Sequence, residues 1–196
     1  MARYSSKSWR AFRPRTGTIA SAPAAIRLQA RDCRVLGIDP GSQRTGYGII
    51  DCHGSGERHV VSGCIDVSGQ EMVRRLQRIY AALSAVVAEH RPDSVAIERV
   101  FVHRNPDSAL KLGQARGVAL CAAAALGASV HEYAPRAIKM AVTGYGAAGK
   151  GQVGQMVRTL LLLQIKLPVD AADALAVALC HAQTRRLAAL DTTDVA

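Results

Sequence analysis

No apolar run in this sequence approaches the ~20 residues that a membrane-spanning helix needs. Nor does a Cys-x-x-Cys pair occur among its five cysteines. The first absence argues against a membrane protein. Cys33, Cys52, Cys64, Cys121 and Cys180 are scattered and odd in number. That argues against a structural zinc site or a disulfide framework and for a reducing compartment. Also missing are a P-loop of the GxxxxGK(S/T) form, a zinc motif and a Ser-His-Asp pattern. Phenylalanine is scarce, with two in 196 residues, so an exposed one would be informative.

A length of 196 residues suits one domain of ordinary size with a single buried core. The net charge of +10 is unevenly spread. Residues 1–34 hold eight Arg/Lys and one Asp, and residues 99–166 hold nine basic against two acidic side chains. Residues 35–98 and 167–196 are each slightly acidic. A basic middle between acid-bearing segments suits a polyanion held over a metal site, because Lys and Arg neutralise phosphates. A basic surface that serves solubility alone has the same composition.

Residues 1–34 read as a tail outside the domain, rich in Arg, Ser and Ala, with Pro14 and Pro23 and no periodic apolar face. They lack the apolar core of a secretory signal, and their composition is that of an organelle transit peptide, a disordered DNA-binding arm or sequence upstream of the true start. From Val35 the pattern predicts strands over 35–39, 46–50 and 59–67 as an antiparallel meander, then an amphipathic helix over 71–89. A buried strand over 94–98 follows, then a helix over 107–126 in which Gly113 and Gly117 leave a notch. Beyond these lie a strand over 129–133, a short helix through 141, a glycine-rich loop over 144–151 carrying Lys150, and helices over 152–163 and 170–189. This predicts an α/β fold, a five-stranded mixed sheet with helices on both faces, spanning residues 35–190 and followed by a short C-terminal tail over 191–196.

Four acids fall in awkward places. Asp39 and Glu98 end apolar strands, where a carboxylate is costly to bury unless something binds it. Asp170 and Asp173 share one face of a helix start amid Ala171, Ala172, Ala174, Leu175 and Ala176. Each has a plain alternative: Asp39 opens an Asx turn, and Asp170 caps a helix whose dipole favours acids in its first turn. If the four converge, their repulsion calls for cations, and hard oxygen donors select Mg²⁺ or Mn²⁺ over zinc. Two such ions about a phosphate suit in-line phosphodiester hydrolysis, one acidifying the attacking water and the other stabilising the leaving 3′ oxygen.

The segments Gly37-Ile38-Asp39-Pro40-Gly41-Ser42, Thr45-Gly46-Tyr47-Gly48, Ala96-Ile97-Glu98, the block over 107–117 and Asp170-Ala171-Ala172-Asp173-Ala174-Leu175-Ala176 resemble the RuvC family of Holliday-junction resolvases. The resemblance runs from about Val35 to His181. It implies a ribonuclease-H-like fold and a homodimer that nicks a four-way DNA junction symmetrically, leaving 5′-phosphate ends. It puts the metal-binding catalytic acids at Asp39, Glu98, Asp170 and Asp173. The DNA-contacting basic pair falls on Lys139 and Lys150, and the aromatic beside the junction centre on Phe101. Two Mg²⁺ ions per site are implied, with Mn²⁺ able to substitute, as are a bacterial cytoplasmic location and work alongside a RuvA–RuvB branch-migration complex. On this resemblance the Gly113/Gly117 helix faces a partner subunit. Two other readings stand beside it: an actin-like phosphotransferase, which generally needs two such lobes, and a non-catalytic junction-binding protein, which predicts loss of an acid.

Overall fold

A computed structural model describes residues 32–54, 56–100, 105–125 and 127–191. Three strands, β1 (Cys33–Asp39), β2 (Arg44–His53) and β3 (Gly56–Asp66), form an antiparallel meander. Helix α1 (Met72–His90) leads to β4 (Ser94–Glu98), and α2 (Pro106–Ala124) leads to β5 (Ser129–Tyr133). Helices α3 (Pro135–Thr143), α4 (Lys150–Leu160) and α5 (Val169–Asp191) complete the chain. The sheet order is β3-β2-β1-β4-β5, with β4 parallel to β1 and β5 parallel to β4.

The two-residue period of the strands divides the core into two layers. Leu36, Ile38, Ile49, Val95 and Ile97 point to one face, where Ile79, Leu83 and Val87 of α1 and Ala115, Ala119, Ala122 and Ala123 of α2 cover them. Val35, Ile50 and Ala96 point to the other face, against α3, α4 and α5. The mixed sheet with helices on both faces is therefore as expected from the sequence.

Several boundaries move. Strand β1 begins at Cys33, so the folded body takes in two residues that the sequence reading left in the tail. Arg34 explains why. Its guanidinium holds Asp51 through two bonds of 2.7 and 3.0 Å and donates to the His90 carbonyl at 3.0 Å. Its backbone N–H donates to Asp93 at 2.7 Å. The Arg34 guanidinium, the largest influence on Asp51, holds that carboxyl below its usual range. This clamp joins β1, β2 and the end of α1 at the edge away from Asp39. Asp51 thus lies within β2, two residues before its end.

Lys150 is the first residue of α4, with Gly149 at the N-cap, and not part of the preceding loop. The Gln152 side chain reaches back to accept from the Gly149 N–H at 2.9 Å, which fixes that helix start. Asp170 sits inside the first turn of α5 and does not cap it. Gly113 and Gly117 are exposed, with no heavy atom within 4 Å of where a Cβ would stand, so neither is part of the core. Ala115 and Ala122 carry the inward face of α2 instead.

Candidate active site

Register builds the site. Asp39 pairs with Gly46 across β1 and β2, and Gly46 pairs with Cys64 across β2 and β3. On the other side Ile38 pairs with Ile97, which brings the next residues, Asp39 and Glu98, together at the strand ends, and Glu98 pairs with Tyr133. One row of side chains thus crosses all five strands: Cys64, Gly46, Asp39, Glu98, Tyr133. By the two-residue alternation this row shares the face of Val35 and Ala96, the face covered by α5.

Glycine lets α5 approach. A Cβ on Gly37 would overlap the backbone of Ala174 and Ala178, and one on Gly46 would overlap the carbonyl of Asp170. One on Gly48 would strike Leu175. With these three side chains absent, α5 lies directly on β1 and β2, and its first turn brings Asp170 and Asp173 to the row of acids. Ala171, Ala174, Leu175 and Ala176 are buried beneath them. The turn after β1 is fixed separately. Thr45, fully buried, donates its hydroxyl to the Gly41 carbonyl at 3.1 Å, and Arg75 of α1 donates to the Ser42 carbonyl at 3.1 Å.

The electrostatics follow from this crowding. Asp39 is pushed up from 3.8 to about 8, first by burial, then by the charges of Glu98 and Asp173. Glu98 is also raised, again first by burial. The side-chain contact between the two carboxyls raises Asp39 further and works against the rise of Glu98. Lys150 forms an ion pair with Asp173 at 3.1 Å, and this contact, the largest influence on Lys150, raises its own value. Lys139 acts on the charge of Glu98 from α3. Among the described residues no three His, Cys, Asp or Glu side chains meet at one point as a finished metal cage. Asp39, Glu98 and Asp173 thus repel one another, with the Lys150 ammonium paired to Asp173. All four ligand candidates supply carboxylate oxygens, so the set fits a hard divalent cation.

The structure therefore brings together six of the seven residues singled out in the sequence. Phe101, the seventh, lies outside the described residues. It also reveals groups that sequence reasoning missed. A cavity of about 250 Å³ opens beside Asp39 and Glu98, walled by Pro40, Val100, Leu112 and Pro135 with Arg99 on its rim. Arg116 of α2 pairs with Glu132 at 2.6 Å and reaches the Glu98 carbonyl at 3.5 Å, bracing the end of β4. The Cys64 thiol donates to Asp170 at 3.4 Å. The thiol is pushed up to about 11, first by burial and then by that bond. Nothing local in the sequence signals these, because each depends on which strand edge meets which helix.

The profile of the crossover junction endodeoxyribonuclease family matches residues 35–181, a span that contains all four acids. The chain belongs to the RuvC family. It is 56% identical over 148 residues to the RuvC crossover junction endodeoxyribonuclease of Alkalilimnicola ehrlichii, covering 76% of this chain and 90% of that protein. With its Dichelobacter nodosus counterpart it shares 55% over 150 residues, covering 76% and 85%. The structure of Thermus thermophilus RuvC in complex with a Holliday junction substrate superposes with a TM-score of 0.74 at 36% identity, covering 80% of this chain and 97% of that one. A yeast mitochondrial Holliday junction resolvase shares the fold alone, at 15% identity and a TM-score of 0.58. The ribonuclease-H-like architecture expected from the sequence is thus the architecture of RuvC. No helix among the described residues is long and apolar enough to cross a membrane.

Proposed function

We propose that this chain resolves Holliday junctions as a metal-dependent endonuclease, with Asp39, Glu98, Asp170 and Asp173 as its metal-binding acids. The observation that carries this reading is Asp39, a half-buried carboxyl at the end of the central strand that burial, Glu98 and Asp173 raise to about 8. Such a group is unstable as an anion until a cation reaches it. Mg²⁺, with Mn²⁺ able to substitute, suits the all-oxygen donor set. Divalent ions held there supply an acidified water for attack on the phosphodiester and neutralise charge on the leaving 3′ oxygen.

The chain's own residues do the rest. Asp39 sits between Glu98 on one side and the α5 acids on the other, so it serves both halves of the ligand set. Strand ends and the first turn of a long helix hold these groups, which limits their drift. Lys139 and Lys150 contact the phosphates flanking the cut. Two-fold symmetric nicking of a two-fold junction requires two sites, and a homodimer through the exposed small-residue face of α2, at Gly113 and Gly117, supplies them. Phe101, three residues beyond Glu98, contributes an aromatic side chain to the junction centre. The catalytic unit is residues 33–191, preceded by the basic segment 1–32 and followed by 192–196, and its place of work is the bacterial cytoplasm, with a RuvA–RuvB complex as partner.

The test is nicking of a synthetic mobile four-way junction and of linear duplex, with Mg²⁺ and with EDTA. Paired symmetric nicks in the junction alone, and only with Mg²⁺, are expected. Tight junction binding without nicks would make the protein a non-catalytic binder, and equal cutting of duplex would remove structure selectivity.

A further inference from the structure

We propose that Cys64 is a positioning residue for the metal centre, holding the Asp170 carboxylate in place through its thiol. This rests on the reading of the four acids as metal ligands. Cys64 lies on β3, at the end of the side-chain row that crosses the sheet, and its Sγ is 3.4 Å from Asp170 Oδ2. The two residues are 106 positions apart.

Each acid of the site has a different companion. Asp39 and Glu98 lie side by side, where Glu98 raises the cost of charging Asp39, and Asp173 has the Lys150 ammonium. Asp170 has the thiol in direct contact, and the Lys150 charge reaches it only at longer range. The difference matters chemically. A lysine partner cancels the charge that an incoming cation needs, whereas a neutral S–H donor orients one oxygen and leaves the full negative charge on the group. The backbone of Asp170 is already fixed, because the Gly46 backbone stands against its carbonyl with no room for a Cβ. Only rotation about the side-chain bonds remains, and the thiol restrains that rotation. Strand β3 is itself held at this point, since Arg44 and Asp66 pair across β2 and β3 at 3.1 Å, two residues beyond Cys64.

The experiment measures Mn²⁺ binding to the full-length protein without DNA, by electron paramagnetic resonance of free Mn²⁺. It compares wild type with Cys64→Ala, Cys64→Ser and, as a thiol control, Cys121→Ser, which alters an exposed cysteine. Loss of an outer partner of a metal ligand weakens binding by about tenfold or more. Cys64→Ala should therefore bind Mn²⁺ about tenfold more weakly, whereas Cys64→Ser, which keeps a donor, and Cys121→Ser should stay within about threefold of wild type. Thermal melting in EDTA checks that each variant is folded. Wild-type affinity in Cys64→Ala would overturn the proposal. So would equal weakening in Cys64→Ser and Cys64→Ala, because packing rather than donation would then be at work. Junction nicking by the wild type with saturating Mg²⁺ is scored in parallel. If it fails, the nuclease reading falls; if it succeeds while Cys64→Ala binds Mn²⁺ normally, only the role of Cys64 falls.

Discussion

Replacing Asp39 by Asn should abolish nicking and yet make the protein more stable in EDTA. The carboxyl is pushed from 3.8 to about 8 by burial, Glu98 and Asp173. At pH 7 the folded state holds a proton there that the unfolded chain releases. Each pH unit of that mismatch is worth about 1.4 kcal/mol, so roughly three units set an upper limit of about 4 kcal/mol. Glu98 is raised by the same crowding and relaxes once its neighbour is permanently neutral, so about half, ~2 kcal/mol, is the expected gain for Asn. For a chain of this length that corresponds to a rise in Tm of about 4–8 °C. The sign also fixes the pH dependence. A carboxyl with a raised value stabilises fully below 3.8, and that contribution is lost as pH rises toward 8. The wild type in EDTA should therefore lose stability between these limits, and Asp39→Asn should lose less. Millimolar Mg²⁺ should reverse the order, because a ligand that binds only the folded state stabilises it in proportion to its saturation. Differential scanning fluorimetry across pH, with and without Mg²⁺, reads all of this. A variant that melts below wild type in EDTA, or that gains as much from Mg²⁺, would refute the reasoning.

Other outcomes follow from the same geometry. Lys139→Ala and Lys150→Ala should each weaken junction binding and lower the slope of log affinity against log salt by about one, measured by fluorescence anisotropy. An unchanged slope would mean that neither contacts phosphate. Gly46→Ala drives a Cβ into the Asp170 carbonyl, an overlap with backbone that no rotamer relieves. It should lower nicking by about a hundredfold and stability by 1–3 kcal/mol, roughly the cost of overpacking, whereas Gly54→Ala, which meets nothing within 4 Å, should be silent in both. Asp51→Asn breaks the Arg34 clamp and should cost about 2 kcal/mol at pH 7. Asp51 has a lowered value, so its contribution is present above 3.8 and lost as pH falls below it. The variant's urea midpoint should accordingly change less than wild type between pH 5 and pH 3.

How far the sequence determined this protein depends on the range over which each feature is specified. Strand and helix identities are local, and alternating or 3.6-residue apolar patterns wrote them into 35–39, 94–98 and 71–89 with errors of a few residues at the ends. The acids too were legible, because a carboxylate closing a buried strand is conspicuous in one dimension. What the sequence could not specify was how these elements meet. That Asp39 lies beside Glu98, and that both face α5, follows from a register set by parallel pairing of strands separated by a whole helix. The approach of α5 depends on three glycines whose missing side chains have meaning only against the helix that fills the space. Arg34 looked like the end of a basic tail, because its partner Asp51 sits 17 residues on and comes opposite it only in the antiparallel pair. Cys64 looked like a stray thiol, since Asp170 is 106 residues away. Local propensity chose the elements and the chemical groups; long-range packing decided which groups share a site, because contact between distant residues is a property of the assembled sheet and not of either segment alone.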